Sequence, residues 1–155
     1  MEVHQLVYQS QSLIPFTPLD LTELLHHART YNRGRKVSGM LLYTPDGRFL
    51  QVLEGPQAAV RDLYFNRIAV DSRHVNCRVL GEGPALGRSF ADWPLAFCAA
   101  QAQDLRALLG TVPPDTPALL VPRPRTRPEL MALLRAFAGS SRFEPAPRPA
   151  LELMG

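Results

Sequence analysis

Apolar and polar positions along the first 100 residues follow two different periods, which predict five strands and two helices. Leu21, Leu24 and Leu25 recur at helical spacing within 17–32, behind a Thr17 that can cap the helix. A second helical segment extends over 55–74. The strands are predicted where short apolar runs lie between turn residues, at 3–10, 36–43, 48–54, 75–85 and 94–100.

In chain order these elements read β-α-β-β-α-β-β, which predicts an α+β fold of the ferredoxin-like class. We expect a five-stranded mixed sheet with the two helices on one face. Two further helical segments, at 103–110 and 127–139, carry apolar faces that can cover the other face of the sheet. The predicted organisation is a core at 1–100, a helical appendage at 101–140 and a proline-rich, flexible tail at 141–155.

A glutamine stands inside one of the apolar strands, in the run RFLQVLEGP. Side chains alternate along a strand, so Gln51 shares its face with Phe49 and Leu53. A buried amide without hydrogen-bond partners costs about 1–3 kcal/mol. Either a structural partner or a ligand must therefore satisfy Gln51.

The formal net charge of +3 is spread over different elements, which argues against a nucleic-acid-binding surface. Cys77 and Cys98 form no metal-ligand pair at a characteristic spacing and are typical of a reducing compartment. No apolar run approaches the roughly 20 residues that span a bilayer, and the first residues do not resemble a secretory signal. We expect a cytoplasmic protein that binds neither membranes nor nucleic acid.

Two helices on one sheet face leave a cleft between them, and several polar or aromatic residues are placed to reach it. Each has an ordinary structural explanation, such as a core tyrosine, a turn asparagine or a solvated charge. His26 and His27 are interpreted as structural. The sequence contains no familiar metal-binding or phosphate-binding motif, so no metal is expected. The candidates for the cleft are Tyr8, Asn32, Arg67, Asp71, Arg73, His74 and Trp93.

Taken together and in order, these residues resemble the successive motifs of one family. The segments LVYQS, YNRGRKVSGMLLY, DGRFLQVLEGP, RIAVDSRH and RSFADWPLAF are similar to those of BLUF domains, the blue-light sensors that use FAD. The resemblance covers roughly residues 1–100 and implies a non-covalently bound FAD between the two helices. The residues that it implies for cofactor binding are Tyr8, Leu24, Asn32, Gln51, Arg67, Ile68, Asp71, Arg73 and His74.

The resemblance also implies a mechanism. Light drives the transfer of an electron and a proton from Tyr8 to the flavin, and recombination leaves the hydrogen bonds of Gln51 rearranged. Trp93 and Leu95 then pass the change to the fifth strand and the C-terminal helices. On this resemblance the protein is a short stand-alone sensor and not an enzyme. It signals to an unidentified downstream protein and forms a homo-oligomer.

The chain departs from the family pattern at four places, one of which is an extra residue in the hairpin around Pro45 that a turn can tolerate. Leu95 stands where many members have a methionine, so it offers no thioether to Gln51. Tyr31 precedes Asn32 where asparagine is more usual. The helix that contains Ile68 is one residue longer than the common pattern, and a π-bulge would absorb the extra residue.

Two other functions compete with this interpretation. Ferredoxin-like domains host many activities, so a small-substrate enzyme of the acylphosphatase or isomerase type could use Asn32, Arg73 and His74. A nucleic-acid-binding module would need exposed aromatic residues on the central strands, whereas Phe49 shares the face of Gln51 beneath the helices. A flavin spectrum in the purified protein would separate the three functions.

Overall fold

A computed structural model describes residues 3–91, 93–109, 126–138 and 143–144. Within them the strands are β1 (Val3–Ser12), β2 (Ser38–Tyr43), β3 (Arg48–Gly55), β4 (His74–Ala85), β5 (Ala96–Ala99) and β6 (Phe143–Glu144). The helices are α1 (Pro18–Gly34), α2 (Gln57–Asp62), α3 (Ala102–Leu109) and α4 (Pro128–Ala138). A π-helical turn at Leu63–Ile68 continues α2. The predicted α+β, ferredoxin-like order of elements is confirmed.

The strands form one mixed sheet in the order β4-β1-β3-β2-β5-β6. Neighbouring strands are antiparallel except β2 and β5, which are parallel. The register places Tyr8 of β1 directly opposite Gln51 of β3. The two-residue strand β6 was not predicted, because its sequence lies in the segment interpreted as a tail. The rest of the predicted tail lies outside the described residues.

Helix α1 begins where the sequence predicts, behind a complete capping box. The Thr17 hydroxyl accepts a hydrogen bond from the Asp20 backbone N–H at 3.1 Å, and the Asp20 carboxylate accepts one from the Thr17 N–H at 2.9 Å. These bonds satisfy two backbone donors that would otherwise lack partners at the helix start. The fixed start determines which α1 residues face the sheet, and Leu21, Leu25 and Asn32 are buried there.

The second helical segment is shorter than the predicted 55–74 and ends in a different way. The Ala69 N–H donates to the Tyr64 carbonyl at 2.7 Å, five residues back, so the extra residue is absorbed in a π-helical turn as expected. The predicted helix over 69–74 is wrong. The Asp71 side chain accepts a bond from the Arg73 N–H at 2.9 Å in a turn, and His74 is already the first residue of β4.

The two faces of the sheet are covered by different helices. On one face, α1 and α2 with its π-helical turn bury side chains such as Leu25, Val60 and Leu63. On the opposite face, Leu105 of α3 and Leu130 of α4 are completely buried in a cluster with residues of β1, β2, β3 and β5. The predicted cover of that face by the C-terminal helices is therefore confirmed. Among the described helices, none has the length and apolar character to span a bilayer.

Candidate functional site

A cavity of about 430 Å3 lies between α1 and the π-helical turn, above the centre of the sheet. Its volume is within the range of about 300–1,000 Å3 that is typical of small-molecule sites. Strands β1 and β3 contribute its floor through Tyr8, Phe49 and Gln51. The structure brings to this cavity ten of the residues singled out from the sequence: Tyr8, Leu24, Asn32, Gln51, Arg67, Ile68, Asp71, Arg73, His74 and Leu95.

The floor contains a direct contact between Tyr8 and Gln51. The Tyr8 hydroxyl donates a hydrogen bond to Oε1 of Gln51, and both side chains are buried. Once Oε1 accepts from Tyr8, the amide nitrogen is the group that Gln51 can offer elsewhere. Nε2 has no hydrogen-bond partner among the residues that the structure describes. The protein therefore satisfies one end of this amide and leaves its donor end available to a molecule in the cavity.

The Tyr8 phenol is protonated under ordinary conditions. Burial raises its pKa well above 10.0, and the nearby ionisable groups of Cys77, Tyr64 and Asp71 raise it further. An ion in this position would lose its hydration without gaining a compensating positive partner. Tyr8 thus holds its proton in the bond to Gln51.

Asn32 presents an unsatisfied acceptor to the cavity. Its Nδ2 donates to the Pro94 carbonyl at 2.9 Å, while the side chain is 1% exposed. Its Oδ1 is buried and has no partner within the described part of the chain. Because a buried polar atom without a partner is costly, Asn32 favours a ligand that carries an N–H donor.

Charged residues surround the opening of the cavity. Arg73 forms a two-point contact with Asp71, from Nε to Oδ1 at 3.0 Å and from Nη2 to Oδ2 at 2.5 Å. The hydrogen bond from Arg73 lowers the pKa of Asp71, and the same bond raises the pKa of Arg73. The guanidinium of Arg67 lies over the Tyr31 ring, 4.2 Å from its centroid. The opening therefore has a mixed charge and positions two guanidinium groups beside the cavity.

His74 joins the end of the π-helical turn to β1. Its Nε2 lies 2.6 Å from the Ile68 carbonyl, and its Nδ1 lies 2.9 Å from the Ser10 hydroxyl. A carbonyl can only accept, so the Nε2 N–H is the donor in the bond to Ile68. This arrangement fixes the position of Ile68 above the sheet.

Trp93 does not lie where the sequence suggested. It is absent from the cavity lining and packs against the cluster beneath α3 and α4, on the other face of the sheet. Leu95, by contrast, lines the cavity and is 1% exposed. Strand β5 begins only at Ala96, so the simple alternation of a strand does not govern residues 93 to 95.

Several lining residues were not identified as site residues from the sequence. His27 was interpreted as structural, yet it lines the cavity together with Ala28 and Tyr31 of the same helix. Their spacing from Leu24, at three, four and seven residues, is a helical signal that could have indicated this face. The others that were missed are Phe16, Leu41, Phe49, Leu63, Asn66 and Val70.

Most of the sequence matches a known family. The family model named BLUF, described as sensors of blue-light using FAD, matches residues 3–96, which is more than half of the chain. The chain belongs to the BLUF family. The matched segment includes every strand and helix that contributes to the cavity.

Individual proteins that resemble the chain support the same assignment. The β subunit of photoactivated adenylate cyclase from Euglena gracilis is 39% identical over 93 residues, which are 59% of this chain and 11% of that protein. The chain thus spans about a tenth of the length of that curated relative. BlsA in its photo-activated state is 27% identical with a TM-score of 0.68, covering 93% of this chain and 99% of that chain. The BLUF protein BlrB in its dark state is 27% identical with a TM-score of 0.64, and the match covers 87% of this chain and 96% of that chain.

The BLUF family uses FAD, and the residues present in the cavity fit a flavin. Leu24 and Ile68 supply apolar side chains from opposite helices, which suits a flat ring system between them. The unpartnered Oδ1 of Asn32 suits the imide N–H of a flavin, and the donor end of Gln51 suits a ring nitrogen or carbonyl. The comparisons give no support to the small-substrate enzyme.

Proposed function

We propose that this BLUF protein detects blue light through a non-covalently bound FAD and converts it into a change in the Gln51 amide. The observation that carries the proposal is the hydrogen bond from the Tyr8 hydroxyl to Oε1 of Gln51 in the floor of the cavity. A redox-active phenol is there in direct contact with an amide that can exchange its donor and acceptor ends. The Nε2 donor of Gln51 is available to the cofactor at the same time.

The cavity residues have distinct proposed roles in holding the cofactor. Asn32 accepts the imide proton at Oδ1, because that atom has no other partner in the described residues. Leu24 and Ile68 lie against the two ring faces. Arg67 and Arg73 bind the carbonyl edge or the remainder of the cofactor. Asp71 orients the Arg73 guanidinium, while His74 holds the Ile68 backbone in place.

The proposed chemistry begins at Tyr8. FAD, when bound, supplies the blue-light absorption and the excited state that accepts an electron. The Tyr8 phenol becomes a strong acid when it loses an electron, so its proton moves along the existing hydrogen bond towards Oε1 of Gln51. Burial favours this local transfer because water cannot compete for the proton. Tyr8 recovers its electron and its proton at the end of the cycle.

The lasting change is confined to Gln51. Its amide either turns over or tautomerises, and both changes exchange the donor and the acceptor that it offers to the cavity. No atom is gained or lost by the protein, so the change is a reversible switch and not a turnover. A changed hydrogen bond at the cofactor is the basis of the expected red shift in absorption.

The proposed output passes through β5 to α3 and α4. Leu95 lines the cavity, and Cys98 of β5 lies in the same apolar cluster as Leu105 and Leu130 of these helices. Trp93 packs against this cluster and takes part from that side. We propose that the helices act on a downstream protein or a second copy of the chain. A cytoplasmic location suits Cys77 and Cys98, which form no disulfide.

The test is to purify the protein, reconstitute it with FAD and compare its absorption before and after blue light. We expect a yellow protein with a reversible red shift. Denaturation in acid should release all the flavin, since neither Cys77 nor Cys98 lines the cavity. Flavin that remains on the denatured chain contradicts non-covalent binding. A protein that binds no flavin, or binds it without a spectral response, contradicts the proposed function.

A further inference from the structure

Helix α1 holds two successive carbonyl groups just before β5. Asn32 donates from Nδ2 to the Pro94 carbonyl at 2.9 Å, and Arg29 donates from Nε to the Leu95 carbonyl at 2.8 Å. Residues 29 and 32 are three positions apart, so both side chains leave the same side of the helix. The segment that enters β5 is therefore attached to α1 by its main chain.

The residues that precede this segment are fixed by a separate set of bonds. The buried Glu54 carboxylate accepts hydrogen bonds from the N–H groups of Ser89, at 2.7 Å, and Phe90, at 2.8 Å. Arg88 donates to the Ser38 hydroxyl at 2.9 Å and to the Lys36 carbonyl at 2.7 Å. These contacts attach the connection to β2 and β3. A displacement of residues 94 and 95 is consequently transmitted forward into β5.

The surroundings of Arg29 allow its hydrogen bond to the Leu95 carbonyl to be exchanged between two nitrogens of the guanidinium. Its guanidinium is partly buried, and this burial lowers the pKa of the group. Nη2 is buried and has no acceptor within the described residues, while Nε already donates to Leu95. Because Nη2 is a free donor beside Nε, the Leu95 carbonyl has a second position in which Arg29 can bind it.

We propose that Arg29 is a positioning residue that couples the cavity to β5 through the Leu95 carbonyl. The inference rests on the proposed function, because it extends the same switch. Asn32 is shared between the cavity, through Oδ1, and Pro94, through Nδ2. A change in the hydrogen bond that Oδ1 accepts alters the bond from Nδ2 to the Pro94 carbonyl. The adjoining Leu95 carbonyl then moves, and Arg29 stays bonded to it. The route uses main-chain atoms, so it does not require the thioether that Leu95 lacks.

The consequence for the rest of the chain follows from the sheet. β5 pairs with β2 on one side and with β6 on the other. Ala96 and Cys98 of β5 are fully buried in the cluster that contains Leu105 of α3 and Leu130 of α4. A shift of β5 must therefore repack these two helices, because a close-packed cluster cannot deform continuously.

The experiment compares three variants of the full chain by hydrogen exchange, in darkness and under blue light. Arg29→Met removes all donors and keeps an apolar stem, and Arg29→Lys restores charge and one donor. Arg33→Met is the matched control, since Arg33 is exposed one turn further along α1. We expect Arg29→Met to bind FAD and to show the reversible red shift. The light-dependent change in exchange over 96–109 should be lost, partly restored in Arg29→Lys and unaltered in Arg33→Met.

Exchange in darkness without FAD tests the attachment itself. Loss of a hydrogen bond from a charged donor should raise exchange over 96–99 by about tenfold in Arg29→Met but not in Arg33→Met. A light-dependent change of unaltered size in Arg29→Met overturns the proposal, and so does dark exchange identical to that of the unaltered chain. If the unaltered chain shows no red shift, the proposed function fails. The dark measurement without FAD then still decides whether Arg29 holds β5.

Discussion

The rings of Tyr8 and Tyr64 lie side by side, with their centroids 4.9 Å apart and their planes tilted by 49°. Tyr8 belongs to β1 and Tyr64 to the π-helical turn, so this contact joins the floor of the cavity to its helical wall. Burial raises the pKa of Tyr64 to about 12 and that of Tyr8 well above 10.0. The proton that the switch requires is thus retained on Tyr8 far into the alkaline range.

The spectral response should be independent of pH on the alkaline side of neutrality. The native Tyr8 phenol has a higher pKa than the unfolded value of 10.0, so the stability that it contributes is complete below pH 10.0 and decreases above it. We therefore expect a constant light-minus-dark spectrum between about pH 7.5 and 9.5. A loss of amplitude that titrates within this interval would show that the reactive phenol ionises there, against the prediction.

Replacing Asn32 by leucine should weaken FAD binding without preventing folding. The change removes the Oδ1 acceptor and the bond to Pro94 but keeps the side-chain volume. Loss of one buried hydrogen bond to the ligand corresponds to about a tenfold increase in Kd. Titration of the flavin-free protein with FAD measures this Kd. Thr30→Ala on the exposed side of α1 is the control and should bind like the unaltered chain. Equal affinities for the two variants would contradict the assigned contact.

The π-helical turn should tolerate the loss of one residue. Phe65 is 41% exposed within this turn, and its deletion should restore regular α-helical geometry while Arg67 and Ile68 keep their positions. FAD affinity should then remain close to that of the unaltered chain. Insertion of an alanine after Phe65 is the contrasting change, because one further residue rotates the following side chains by about 100°. If the deletion abolishes FAD binding as completely as the insertion, the prediction is contradicted, and the π-helical turn itself is required for binding.

Helix α4 should contribute to stability mainly through the side chains that it packs on the second face of the sheet. Leu130 is fully buried, whereas Leu133 of the same helix is 39% exposed. Leu130→Ala should lower the free energy of unfolding by about 2–5 kcal/mol, and Leu133→Ala by less than about 1 kcal/mol. Urea unfolding of both variants gives the comparison. Similar losses would mean that α4 is not packed through Leu130.

The sequence was informative where structure depends on local interactions. The Thr17 cap of α1 and the extra residue near Ile68 are set by neighbours in the chain, and both were predicted correctly. The face of Gln51 followed from strand alternation. These features need no knowledge of distant contacts.

Other features depend on contacts between distant segments and could not be predicted. β6 exists because Phe143 pairs with Cys98, 45 positions earlier. Trp93 lies on the opposite face because it packs against the cluster that α3 and α4 form with the sheet. His74 belongs to β4 because it pairs with Ser12 of β1, which is far away in the chain. The roles assigned to the cavity residues remain predictions.

The central claim depends on Tyr8 and Gln51, and two substitutions separate their chemistry from their packing. Tyr8→Phe keeps the ring against Tyr64 but removes the hydroxyl and makes the residue a poorer electron donor. Gln51→Leu suits the buried floor but has no amide to exchange. Both variants should fold and bind FAD, because losing one hydrogen bond costs only about 1 kcal/mol.

The most direct measurement is the absorption difference between dark and blue-lit samples of the two variants and the unaltered chain, each loaded with FAD. The unaltered chain should give a reversible red shift. Tyr8→Phe and Gln51→Leu should bind FAD and give no such shift. A reversible red shift of unaltered size in both variants would contradict the account, because the response would then require neither the phenol nor the amide.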